Sequence, residues 1–418
     1  MNHDNNEQNN QGNNLPLPVP SADLSTIANF RDKASAEQII RGYIDHVQAE
    51  YSYRDKQILL KRGERLEKFS LEQVFTRMLL DLDNMGLRRD KDLLQRVLGA
   101  WIDEQKERLL KEHRERLAYD PQASGTQLEK FAAAIIGKPD RLSLAVLKHF
   151  IWQVKVKLNG EIPVHHLMPV LVGKSGGGKS VAVEKFLSPI AALVEYPPDI
   201  PTLTDERNFR YMWDYYILVL DEMAKAKKAD ADALKSIITA RDLSQRVLRT
   251  TGHETRKNRA TFIGTTNHQL PDLLTDPTGV RRFWQIDCQD KVDWEAINTL
   301  ESQTIWKSVD EKSPSPILEV IDEIHLKQED ELRNKEAEEL FLEQCVEPLD
   351  ATVSEREWTD FSEVFSKYKI YCEENKYYPV TAQKFARRLK AKGYSANKDK
   401  KRRRYNLQLA KLSGAFPF

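Results

Sequence analysis

Gly173-Lys174-Ser175-Gly176-Gly177-Gly178-Lys179-Ser180 follows the apolar run Leu167–Val172 and precedes a helical stretch. The order strand, GxxxxGK[ST], helix predicts a loop that wraps phosphates. Glycines let the backbone N–H groups turn inward around phosphate oxygens, and the N-terminus of the following helix adds partial positive charge. In that frame Lys179 reaches the β and γ phosphates and Ser180 ligates Mg²⁺. A merely flexible Gly-rich turn has no need of Lys-Ser at this place. The whole segment, Gly173, Lys174, Ser175, Gly176, Gly177, Gly178, Lys179 and Ser180, is therefore expected to bind ATP with Mg²⁺.

Working outward, Tyr215-Tyr216-Ile217-Leu218-Val219-Leu220 ends in Asp221-Glu222. Two carboxylates closing an apolar strand downstream of a phosphate loop divide the work that hydrolysis requires. Asp221 is expected to hold Mg²⁺ through water, and Glu222 to orient and deprotonate the attacking water. An acidic helix start is the bland alternative. The next apolar run, Ala260–Thr265, leads through Thr266 to Asn267, whose amide could hydrogen-bond the attacking water or the γ-phosphate. Taken alone, an Asn after a strand is a turn residue; the order of the three motifs gives it the catalytic reading.

Arg281 and Arg282 precede the aromatic run Phe283–Ile286. A guanidinium here could stabilise transition-state charge on a neighbouring subunit's ATP, which makes the expected active form an oligomer. The pair could instead salt-bridge or stack at the surface, and which arginine acts stays open. Between the helical stretch after Glu222 and Asn267, Arg246 to Arg249 and Arg256 to Arg259 flank Gly252 and His253 and read as a basic hairpin. Arg246, Arg249, Arg256 and Lys257 would then meet the phosphates of a threaded strand, unless the hairpin is only a solvated charged face.

With 418 residues the chain is long enough for two or three domains. Lys+Arg and Asp+Glu balance at 64 each, so attraction to nucleic acid must come from local clustering. Cys288, Cys345 and Cys372 lie far apart without CxxC spacing, against a zinc site or disulfide framework and consistent with a reducing, cytoplasmic setting. No apolar run approaches the roughly 20 residues of a membrane helix, and the N-terminus lacks a secretory pattern.

Residues 1–23 are rich in Asn, Gln and Pro and are expected to be a disordered tail. A helical N-terminal module is expected over 24–135, with Leu94, Val97, Leu98 and Trp101 at i, i+3, i+4 and i+7 and a charged helix running on through Lys111 and Arg116. The ATPase core spans 136–312 and begins with a second stripe, Leu147, Phe150, Ile151 and Val154, ahead of the first strand. Its short apolar runs alternate with helical stretches, as in a parallel sheet covered on both faces. A helical linker over 313–350 carries a long charged helix that Pro348 stops.

The last region, 351–418, reads as a basic winged-helix-like DNA-binding domain. Asp360 and Glu363 resemble a capping box, and Phe361, Val364, Phe365 and Tyr368 form one helical face. A second helix, Thr381 to Lys392, turns Phe385 and Leu389 inward and Lys384, Arg387, Arg388 and Lys392 outward. A basic turn with Lys401, Arg402 and Arg403 leads into a strand-like run. From Pro379 to Lys411 basic residues exceed acidic ones by eleven, a footprint suited to duplex DNA rather than a mere solubilising tail.

Together, GKSGGGKS, ILVLDE, GTTN and Gly279-Val280-Arg281-Arg282-Phe283-Trp284 resemble the virulence-associated E family, related to superfamily-three helicases. The resemblance spans about Leu167 to Asp287. It implies an α/β AAA+ P-loop NTPase core acting as a hexameric DNA helicase or translocase in replication of phages and mobile elements. It also implies an arginine finger at Arg281 or Arg282 and a hairpin contacting single-stranded DNA. Val280 stands where such segments usually carry Asn. No primase motif is found in the N-terminal region, so priming would need a separate protein. The alternative is a nucleotide-switched DNA-binding initiator or regulator without unwinding activity.

Overall fold

The computed structural model describes residues 35–62, 65–84, 86, 90–197, 199–205, 210–223, 228–246, 253–273, 281–349, 353–397 and 403–409. The expected N-terminal tail lies outside them, as do Arg249, Lys401 and Arg402. The chain forms two units, Met1–Ala118 with Leu187–Glu195 and Tyr119–Phe186 with Tyr196–Phe418.

In the first unit the helices Ala36–His46, Leu71–Asn84 and Lys91–Leu117 share one apolar core. The stripe Leu94, Val97, Leu98 and Trp101 is buried there, as its 3.6-residue spacing requires. The first helix is closed by a capping box, with Ser35 Oγ accepting from the Gln38 N–H and Gln38 Oε1 from the Ser35 N–H. The unit is not all helical, which corrects the sequence reading. Strands Glu50–Ser52, Gln57–Arg62 and Arg65–Phe69 make an antiparallel meander, and Ile58 and Leu60, two residues apart, turn into the core.

The second unit carries a parallel sheet. Strands Phe283–Asp287, Met168–Val172, Thr261–Thr266 and Ile217–Leu220 lie side by side in that order. Each predicted apolar run thus forms a strand. Met168–Val172 is buried at every position, so a near-continuous apolar run rather than an alternating one is what both faces require. Met168, Val170 and Val172 pack with Leu218, Leu220 and Phe262 against Leu234 and Ile238. Helix Arg141–Leu158 is bound to the same sheet, with Gln153 Nε2 donating to the Leu167 carbonyl at 2.8 Å and Oε1 accepting from its N–H at 3.2 Å. Gly264 stands where the sheet is most crowded: a Cβ there would lie 2.6 Å from Met223 Sδ and 2.8 Å from Met168 Cε.

Helix Ile321–Cys345 leads to a smaller core made by Phe341, Tyr368, Phe385, Leu389 and Tyr405. Around it pack helices Phe361–Glu374 and Ala382–Ala391, while strands Thr359–Asp360 with Arg404–Tyr405 and Val346–Pro348 with Leu407–Leu409 pair antiparallel. Two local expectations fail here. Asp360 occupies the N-cap position but makes no capping bond, because its carboxylate accepts from Arg404 Nε at 3.0 Å. Arg388 does not point outward. It lies on the same helix face as Phe385 and Leu389, is 7% exposed, and pairs with buried Glu338 at 2.9 Å.

All three cysteines are buried free thiols, as expected, and among the described residues no helix is long and apolar enough to cross a membrane.

Candidate functional site

Strand order brings the site together. Thr261–Thr266 lies between the phosphate-loop strand and Ile217–Leu220, with Val172 level with Thr266 and Leu220 level with Gly264. All run parallel, so the loop Gly173–Ser180, the pair Asp221-Glu222 and Asn267 emerge at one edge, the carboxyl ends where open α/β sheets bind ligands. Ser175–Ser180, Asp221, Glu222 and Asn267 line a cleft of about 350 Å³.

Asp221 is the hub. Its Oδ1 accepts from Ser180 Oγ at 2.8 Å and from Thr265 Oγ1 at 2.5 Å. The Thr265 hydroxyl also accepts from the Glu222 N–H at 3.2 Å. Glu222 itself has φ 56°, a left-handed conformation that costs a non-glycine residue about 1–3 kcal/mol and that surrounding structure must impose. That turn ends the strand abruptly and leaves the carboxylate exposed in the cleft. Thr265 is the residue that sequence reasoning missed. Its signal was present in GTTN, but only the strand order shows which neighbour it holds.

Lys179 is buried and its Nζ donates to the carbonyls of Gly173 at 2.9 Å and Lys174 at 2.8 Å. Those carbonyls satisfy an ammonium that phosphate oxygens can also bind. Gly176 and Gly178 have φ 72° and 95°, conformations a side chain would oppose. A loop with glycine turns, an ammonium folded over it, and a serine hydroxyl already bonded to a carboxylate fits a triphosphate, with Ser180 and Asp221 as the residues that would hold Mg²⁺. Lys174 pairs with Asp290, and this bond holds the Asp290 carboxyl below the usual range.

The other named residues divide. Asn267 lies at the cleft beside Glu222 and is exposed. Arg281 and Arg282 do not join it: they precede Phe283, which pairs with Met168, the first residue of the phosphate-loop strand, so they sit at the opposite end of the sheet. There they line a second cleft with His165, His166 and His325. Asp242–Arg246 and His253–Lys257 do form an antiparallel hairpin whose 247–252 tip lies outside the described residues. Arg256 is anchored at its base, with Nε donating to Glu254 at 2.7 Å and the guanidinium 5.3 Å from the Trp213 ring. Lys257 is exposed. Lys384 and Arg387 of the C-terminal helix line a cleft of about 480 Å³ with Gly173, Lys174 and Asn267, a neighbourhood the sequence did not suggest. Arg403 is exposed beside the Phe361 and Tyr405 rings.

A phosphate loop on a parallel sheet, with two acidic residues closing a neighbouring strand, defines the class: the second unit is a P-loop NTPase domain. The virulence-associated protein E-like domain model matches residues 122–339, more than half the chain, and the protein belongs to that family. No curated protein matches it. Two apo structures of the NrS-1 C-terminal region are 14% and 13% identical, each with a TM-score of 0.38. The first covers 86% of this chain and 95% of its own, the second 89% and 99%.

Proposed function

We propose that the protein is an AAA+ ATPase that hydrolyses ATP at subunit interfaces to move along DNA, in the replication of a mobile element or prophage. The Ser180–Asp221–Thr265–Glu222 arrangement carries this reading, since nucleotide binding alone has no use for a second carboxylate posed in the cleft. Lys179 and the loop amides bind the β and γ phosphates, Glu222 takes a proton from the attacking water, and Asn267 holds that water by its amide. Ser180 and Asp221 would hold Mg²⁺, which would supply charge neutralisation.

Arg281 and Arg282 stand a strand's length from the chain's own phosphate loop, which favours action on a neighbouring subunit in a ring, with six members as the family resemblance implies. The hairpin cations Arg246, Arg249, Arg256 and Lys257 face a single strand in the channel. The C-terminal region, read as winged-helix-like, holds duplex through Arg387, Lys384 and the basic turn Lys401–Arg403.

The experiment is ATP turnover with and without single-stranded DNA, for the native protein and for charge reversal at Arg256 and Lys257. Stimulation lost with the hairpin charges supports the motor. Turnover indifferent to DNA, with nucleotide-gated DNA binding intact in the variant, supports an initiator or regulator that uses nucleotide as a switch.

A further inference from the structure

After the edge strand the chain turns back as Gln289–Trp294 and straps the phosphate loop from outside. The strap is fixed to the loop at three points. Lys174 pairs with Asp290, the Val292 N–H donates to the Gly177 carbonyl at 3.0 Å, and the Trp294 indole lies directly against Gly178. Any side chain at Gly178 would collide with indole Cζ2, and the next two ring atoms lie 3.2 and 3.3 Å from where its Cβ would stand. The strap is also tied to helix Thr126–Ile136: the Gln289 and Asp293 N–H groups donate to the Ile135 and Ala134 carbonyls, both at 2.9 Å.

A tryptophan packed against the main chain is ordinarily buried, yet Trp294 is 40% exposed. Val181, directly after Ser180 and lining the cleft, is 55% exposed. Two large apolar side chains therefore flank the phosphate loop in water, and neither is needed to bind phosphate. An aromatic face beside a phosphate cradle suits the flat π-system of a nucleobase.

We propose that Trp294 is the platform that receives the nucleobase, so that the site selects a nucleoside triphosphate over a bare polyphosphate. This rests on reading Gly173–Ser180 as the nucleotide's phosphate site. Because the strap holds the ring in place before ligand arrives, little side-chain freedom is lost on binding.

The test titrates the native protein, Trp294→Ala and Trp294→Phe with a non-hydrolysable ATP analogue and, separately, with inorganic tripolyphosphate, each with Mg²⁺. The expected result is about tenfold weaker analogue binding in Trp294→Ala, equivalent to about 1.4 kcal/mol, with tripolyphosphate affinity unchanged and Trp294→Phe close to native. Of the seven tryptophans, Trp294 should also account for an emission change on analogue binding that Trp294→Phe lacks. Unchanged analogue affinity in Trp294→Ala overturns the proposal, and so does an equal loss for both ligands, which would make the ring only a prop for the loop. If Trp294→Ala does not fold, an emission change retained in Trp294→Phe overturns it. Native protein that binds neither ligand overturns the nucleotide reading itself, and the platform with it.

Discussion

Thr265 Oγ1 donates to Asp221 Oδ1 at 2.5 Å and accepts the Glu222 N–H at 3.2 Å, so one hydroxyl holds both acidic residues of the site from the neighbouring strand. Thr265→Val keeps the shape of that side chain and removes both bonds. A hydrogen bond to a charged group contributes about 1.5–3 kcal/mol, so we expect ATP turnover to fall at least tenfold with nucleotide affinity little changed. Steady-state turnover beside calorimetric affinity checks this; unchanged turnover would remove Thr265 from the account.

The positions of Arg281 and Arg282 give a complementation test. They lie at the end of the sheet opposite Gly173–Ser180. Subunits carrying Glu222→Gln and subunits carrying the inactivating arginine substitution, Arg281→Ala or Arg282→Ala, should each be inactive alone. Mixed, they should regain activity, because an arginine-deficient subunit keeps its own site and borrows the guanidinium of its Glu222→Gln neighbour. Absence of recovery in oligomers shown to be mixed contradicts action across the interface.

Arg388 and Glu338 pair at 2.9 Å with side chains 7% and 5% exposed. Removing one partner strands a buried charge, so Arg388→Ala should destabilise the C-terminal region by about 3–5 kcal/mol. Replacing both, Arg388→Met with Glu338→Leu, should recover most of that loss. Denaturant unfolding of the two variants measures the difference, and a mild effect of Arg388→Ala would place the arginine in solvent after all.

Burial pushes Lys157 down to about 7 from 10.5, with its Nζ against the Ala260 carbonyl. Between those values the unfolded chain holds the proton that the folded chain has released, so this residue's contribution makes stability rise with pH across that window. Lys157→Met should abolish that contribution and stabilise the protein most near and below pH 7. Unfolding curves of both proteins at pH 6.5 and 9.5 (on the order of half a unit below the folded value and about one below the unfolded one) measure it. Equal pH slopes would show the ammonium is not desolvated.

Much of this was legible in the sequence, and what was not has physical causes. Stripes such as Leu147, Phe150, Ile151 and Val154 predict a buried helix face because 3.6-residue spacing admits no other reading, and all four are buried. The apolar runs mark four strands, three of which carry the site. The meander around Gln57–Arg62 is hard to read because its central strand buries only Ile58 and Leu60, too short an alternation to stand out among charged neighbours. The charge of Arg388 points outward, but its spacing from Phe385 and Leu389 puts it on the buried face. Thr265 and Trp294 depend on strand order and on a returning strap. Local sequence shows a Thr in GTTN but neither its partners nor the place of the indole.

The most direct measurement is calorimetric titration of the native protein and of Lys179→Ala with a non-hydrolysable ATP analogue and Mg²⁺. The account predicts saturable binding of one nucleotide per chain, lost in Lys179→Ala while the fold persists. No binding by the native protein, or equal binding by both, would contradict it.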